Sequence, residues 1–226
     1  MALSSLQTFN AEITSCEKCP RLVEWRETVA QEKRASFRDQ EYWGRPLPGF
    51  GDPNARVLVC GLAPAAHGAN RTGRVFTGDR SGDWLFASLH RTGFANQPTC
   101  QHRDDGLELS NCYVTCCVRC APPDNKPTTT ERDNCLEFLA RELAILEEVT
   151  IMVCLGGFAW DSVVRILRQQ GHVVRPKPKF QHAAECEVGP YVLLGSYHPS
   201  QQNTFTGRLT ERMLDEVFQR AVQLAE

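Results

Sequence analysis

Four short apolar runs rich in β-branched residues, 56–62, 111–118, 150–155 and 191–197, limit the possible folds more than any other feature of the chain. Each has the length of a strand and reads as one buried in a sheet. Longer amphipathic segments lie between them. Helices are expected over 4–29, with a break at Cys19-Pro20, and over 82–91, 130–148, 158–170 and 208–224. Thr128-Thr129-Thr130-Glu131 ahead of an apolar pattern has the form of a helix N-cap. Strands alternating with helices imply an α/β fold, with a parallel sheet covered on both faces and joined by right-handed crossovers. No repeat, low-complexity tract or linker divides the chain. Residues 1–226 are expected to form one domain, with 34–53 as a polar, aromatic and Pro-rich connection inside it.

In sheets of this kind, ligands bind outside the carboxyl ends of the strands. The loop at 61–79, after the first run, is long, polar and rich in glycine. The second run is followed by 119–128 and the fourth by 196–204. These three loops are expected to meet. Within them Phe76 can stack on a planar ring, and Asn125 offers a paired donor and acceptor that match N3–H and O4 of a uracil-like edge. Cytosine presents the wrong pattern there. Main-chain amides exposed by Ala63 and Ala65 can complete such a pocket. His198, held before a proline, can donate to a ring oxygen that gains negative charge. Asp79 is the one carboxylate of the first loop, and ahead of Arg80-Ser81-Gly82 it also has the form of a helix N-cap.

Eleven cysteines are more than a chain of 226 residues needs to hold a core. Met1 to Asn10 lack the basic start and apolar core of a secretory leader, so the chain is expected in the cytoplasm, where clustered thiols serve as metal ligands or catalytic groups. Cys16 and Cys19, followed by Pro20, are close enough to share a metal. The remaining two ligands can be Cys120 and Cys135, or Cys117 with Cys120, and spacing alone admits iron–sulfur or zinc. Cys60, Cys112, Cys116 and Cys154 read as strand core, and Cys100 and Cys186 as loop or surface residues. The formal net charge of −2 does not announce a nucleic-acid binder, so any such surface must be local. A run without acidic residues from Arg165 to His182 is one candidate. No apolar run approaches the length of a membrane span.

The first loop, GLAPAAHGANRTGRVFTGD, closely resembles the first motif of the type B, or family five, uracil-DNA glycosylases. Cys16-x-x-Cys19-Pro20-Arg21-Leu22, Arg119-Cys120-Ala121-Pro122-Pro123, Asn125-Lys126-Pro127-Thr128 and the segment from Ser196 to Thr210 resemble that family in the same order. The resemblance spans effectively the whole chain. It implies a three-layer α/β/α sandwich, here with a central, mostly parallel four-stranded sheet, and a structural [4Fe-4S] cluster on Cys16, Cys19, Cys120 and Cys135. It further implies removal of uracil, and of other deaminated bases such as hypoxanthine, from damaged DNA; the chain itself is expected to be a monomer. In that scheme Phe76 stacks the flipped base, Asn125 reads it, His198 donates to it, and Asp79 orients the water or stabilises the sugar cation. Arg71 and Arg74, with the basic run, are expected to meet phosphates, and Gln201, Gln202 or Phe205 to fill the vacated stack. Two competing readings are an iron–sulfur redox protein and a lesion-binding protein that does not cut.

Overall fold

The computed structural model describes residues 2–226. Met1, the first residue of the segment read for a leader, lies outside them. Two helices come first, α1 (Ala2–Thr14) and α2 (Pro20–Glu32), and the break between them falls at the Cys19-Pro20 step, where Pro begins the second helix. The sheet then builds through β1 (Phe50–Gly51), β2 (Val57–Gly61), β3 (Cys112–Cys116), β4 (Ile151–Leu155), β5 (Glu185–Val188) and β6 (Tyr191–Ser196). The intervening helices are α3 (Ala69–Thr72), α4 (Arg80–Arg91), α5 (Thr129–Ile145), α6 (Gly157–Gln169), α7 (Gln201–Phe205) and α8 (Glu211–Ala225).

Strand order is β1-β3-β2-β4-β6-β5. The four strands expected from the apolar runs form its parallel centre, but the sheet has six strands, because β1 and β5 add antiparallel edges. Neither edge carries the signal that marks the centre. The first is two residues long, and the second, Glu-Cys-Glu-Val, exposes both glutamates as an edge strand should.

Side chains of β2 alternate between two apolar layers. Val57 and Val59 join Leu85, Phe86 and Leu89 of α4 and Leu214, Val217 and Phe218 of α8 on one face. Leu58 and Cys60 join Leu136 and Leu139 of α5 and Trp160, Val163 and Leu167 of α6 on the other. Thr128 caps α5 in a reciprocal box with Glu131, as its sequence anticipates. No helix among the described residues is long and apolar enough to cross a membrane.

The chain runs from β2 outward to β3 and then crosses back to β4 on the other side of β2. That reversal opens a crevice at the carboxyl end of β2, the position where open α/β sheets take their ligands.

Candidate active site

A cleft of about 810 Å³ occupies this crevice, and the three expected loops do meet there. Ala63, Ala65, Phe76 and Asp79 line it from the loop after β2, Asn125 from the loop after β3, and His198 with Gln202 from the segment after β6.

Phe76 sits at φ +52°, a conformation rare for an aromatic residue, and is 7% exposed. Its ring lies against the backbone of Gly61, where an added Cβ would stand 2.4 Å from Phe76 Cζ. Glycine at the end of β2 therefore makes room for the ring. The Phe76 ring lies 5.8 Å from that of His198, centroid to centroid, tilted by 30°. Asn203 donates to the His198 carbonyl at 2.8 Å and so ties α7 to the histidine backbone. Burial pushes the His198 pKa down to about 4, leaving a neutral imidazole at pH 7.

Asp79 fulfils its second expected role as the N-cap of α4. Its Oδ1 accepts from Ser81 N–H at 2.8 Å and Gly82 N–H at 3.1 Å. Its Oδ2 lies beside Gly68, where a Cβ would come within 2.2 Å of that oxygen. Among the described residues no hydrogen bond goes to Oδ2, so the carboxylate divides its two oxygens between cap and cleft. Burial raises its pKa; the two backbone N–H groups and Arg71 oppose that rise.

Asn125 is exposed at the cleft wall with φ +56°, next to Asp124 at φ +53°. Two successive non-glycine residues in the left-handed region store strain at the tip that presents the amide.

Of the two arginines expected at phosphates, neither offers a free guanidinium. Arg74 is 4% exposed and grips Asp105 through two bonds of 2.8 Å, with Phe50 stacked on its charge, so the structure places it in the core. Arg71 donates to the His67 carbonyl, Gln40 Oε1 and the Gly78 carbonyl at 2.8, 2.6 and 2.9 Å, and lies 4.0 Å from the centroid of the Phe37 ring. It braces the loop. In the basic run, Arg165 pairs with Asp133, Lys177 with Asp161, and Arg168 binds the Val174 carbonyl; none of the three lines the cleft. Arg34, Phe37 and His67 do line it. Arg34 and Phe37 belong to the connection that sequence reading passed over; its mixture of basic and aromatic residues was the available signal.

Cys16, Cys19, Cys120 and Cys135 line a separate small cavity between α2, the loop after β3 and α5. Arg26, 4% exposed, donates to Cys120 Sγ at 3.1 Å while its Nε has no partner among the described residues, and Asn134 Nδ2 donates to Cys19 Sγ at 3.5 Å. Among the described residues no three such side chains converge on a single metal-ion position. Cys117 lies instead behind the sheet, 3.4 Å from Cys60, sulfur to sulfur. Cys100, expected in a loop or at the surface, is 2% exposed under the Phe76 carbonyl, because the segment carrying it folds back over α4.

Residues 48–222 match the family model described as the uracil DNA glycosylase superfamily. The chain is 53% identical to the type-5 uracil-DNA glycosylase of Mycobacterium tuberculosis, over 98% of this chain and 82% of that protein. It is 48% identical to that of Thermus thermophilus, over 97% and 98% of the two chains. Similarity also extends to the type-4 uracil-DNA glycosylase of Archaeoglobus fulgidus, at 27% identity over 73% of this chain and 66% of the other.

Proposed function

The chain belongs to the uracil-DNA glycosylase superfamily, in its type-5 branch, and from that membership we propose how the sheet-end cleft hydrolyses the N-glycosidic bond of uracil in DNA. The product is free base and an abasic site. We extend the substrate range to other deaminated bases such as hypoxanthine, since small residues at Ala63, Ala65 and Gly68 form the wall of the cleft. The observation that carries the reading is that Phe76, Asn125, His198 and Asp79, from three loops, all line this cleft. One copy of the chain supplies all four, so we read residues 1–226 as one unit acting as a monomer.

Inside a duplex the glycosidic bond is out of reach, so the nucleotide must first leave the stack. The Phe76 ring gives the extruded base a flat apolar wall. Asn125 pairs its amide oxygen and N–H₂ with uracil N3–H and O4. As the bond breaks, negative charge gathers on the base. His198, neutral because it is buried, donates an N–H to the ring oxygen that takes up this charge. Positive charge gathers on the sugar, and Asp79 Oδ2 answers it or orients the attacking water, while Oδ1 stays on the helix cap. Gln202, exposed at the cleft rim, is placed to meet the DNA left behind.

The four cysteines facing the second cavity fit a [4Fe-4S] cluster. Every candidate ligand there is a thiol, two side-chain donors already point at sulfur, and the buried Arg26 supplies positive charge with an orphaned Nε. A bound cluster would supply metal–thiolate bonds joining the Cys16 segment to the loop that ends in Asn125, a structural role.

Incubating uracil-containing DNA with the protein and then treating it with alkali tests the reading. Strand scission at uracil is expected; intact strands would overturn it.

A further inference from the structure

One linked set of groups at the cleft is unused by the cleavage roles above. The backbone N–H of Arg34 donates to the Tyr42 hydroxyl at 3.4 Å, and that hydroxyl lies 3.0 Å from His67 Nδ1. Tyr42 is buried, whereas Arg34 and His67 both line the cleft. His67 Nδ1 is the one acceptor within reach of the phenolic proton among the described residues, and we assign the proton to that contact. The second imidazole nitrogen, Nε2, then carries the ring proton. Burial, with the cations Arg34 and Arg71 nearby, lowers the His67 pKa and keeps the ring neutral, so it remains a one-proton donor. Arg34 is exposed and makes no ion pair among the described residues, and it is the one basic residue of its segment, which also holds Glu32, Lys33, Arg38, Asp39 and Glu41, that lines the cleft.

A fixed neutral N–H beside a free guanidinium is chemistry for an anion with several acceptor oxygens. A metal ion would be repelled there, and a phosphodiester, unlike a neutral base edge, carries the full negative charge that an exposed guanidinium matches. We propose that Arg34 and His67, the latter oriented by Tyr42, form a seat for one phosphodiester of the strand that carries the flipped nucleotide. This rests on the base-excision reading of the cleft. It also explains how the strand is gripped when Arg71 and Arg74 spend their guanidinium groups within the fold. Arg34 contributes charge; His67 contributes direction.

The test is binding to duplexes carrying 2′-fluoro-2′-deoxyuridine, which resists cleavage, scanned with single neutral methylphosphonates around the uracil. Arg34→Gln is expected to weaken binding about tenfold and to reduce the salt dependence by about one phosphate contact. His67→Ala is expected to weaken binding about threefold to tenfold with the salt dependence unchanged, because the ring is neutral. Tyr42→Phe should lose part of that affinity, and His67→Asn, which keeps an N–H donor, should recover part. At one backbone position the methylphosphonate should cost the wild type more than Arg34→Gln does, and cost that variant only the smaller share that His67 contributes. The proposal is overturned if no position couples to Arg34. It is equally overturned if His67→Ala leaves affinity intact and slows the single-turnover step at saturating DNA. Because these duplexes are not cleaved, failure of the wild type to excise uracil would sink the base-excision reading separately from the phosphate coupling.

Discussion

Arg119 and Asn125 stand on the same loop in opposite surroundings. Arg119 is 1% exposed, donates to Thr115 Oγ1 at 2.5 Å and to Glu142 Oε2 at 2.6 Å, and is followed at once by Cys120 under the Arg26 guanidinium. Asn125 is exposed, at a positive φ, and lines the cleft. The loop is anchored at its base by buried charge and strained at its tip. A tip that reads a base has to keep its donor and acceptor unspent, which a rigid base makes possible without loss of position.

Breaking the anchor should give the largest effect. Glu142→Ala would leave the Arg119 charge buried without its partner, an expected loss of about 3–5 kcal/mol of stability, measured by denaturant unfolding. A loss below about 1 kcal/mol would mean that the base of the loop is not held by this pair.

Asp79→Asn sharpens the contrast from the cleft side, because asparagine also caps helices while removing the charge at Oδ2. Single-turnover excision should fall about 100-fold with the melting temperature unchanged. Near-full activity would confine Asp79 to the cap. A related pH dependence follows. Burial raises the Asp79 pKa, so the carboxylate is lost on acidification at a higher pH than a free aspartate, while His198 stays neutral down to about 4. The rate should therefore show an acid limb above the ordinary carboxylate range, and Asp79→Asn should abolish that limb.

At the tip itself, Asn125→Ala should lower the excision rate about tenfold, the scale of one or two lost hydrogen bonds, and narrow the preference for uracil over cytosine without changing stability. An unchanged preference would take base reading away from this residue.

The parallel centre of the sheet was legible because its strands are continuous apolar runs, and the two edges were not, because they are short or alternate with glutamate. Asp79 shows both sides of the same limit. Its cap was written locally in the Arg80-Ser81-Gly82 that follows, yet its division between cap and cleft depends on Gly68, which only the folded loop brings beside Oδ2. Arg74 was misread for a similar reason: Asp105, which buries its charge, comes from a distant loop with no motif of its own. The cysteine quartet could be proposed from the resemblance but not chosen by spacing, since α2 and α5, far apart in the sequence, reach the same cavity.

In the proposed mechanism a neutral His198 faces the leaving base. The most direct measurement is the single-turnover rate of uracil excision by His198→Ala at saturating DNA, with the fold checked by melting temperature. A loss of about 10²–10³-fold with DNA affinity preserved is predicted. A rate within a few-fold of wild type would contradict it.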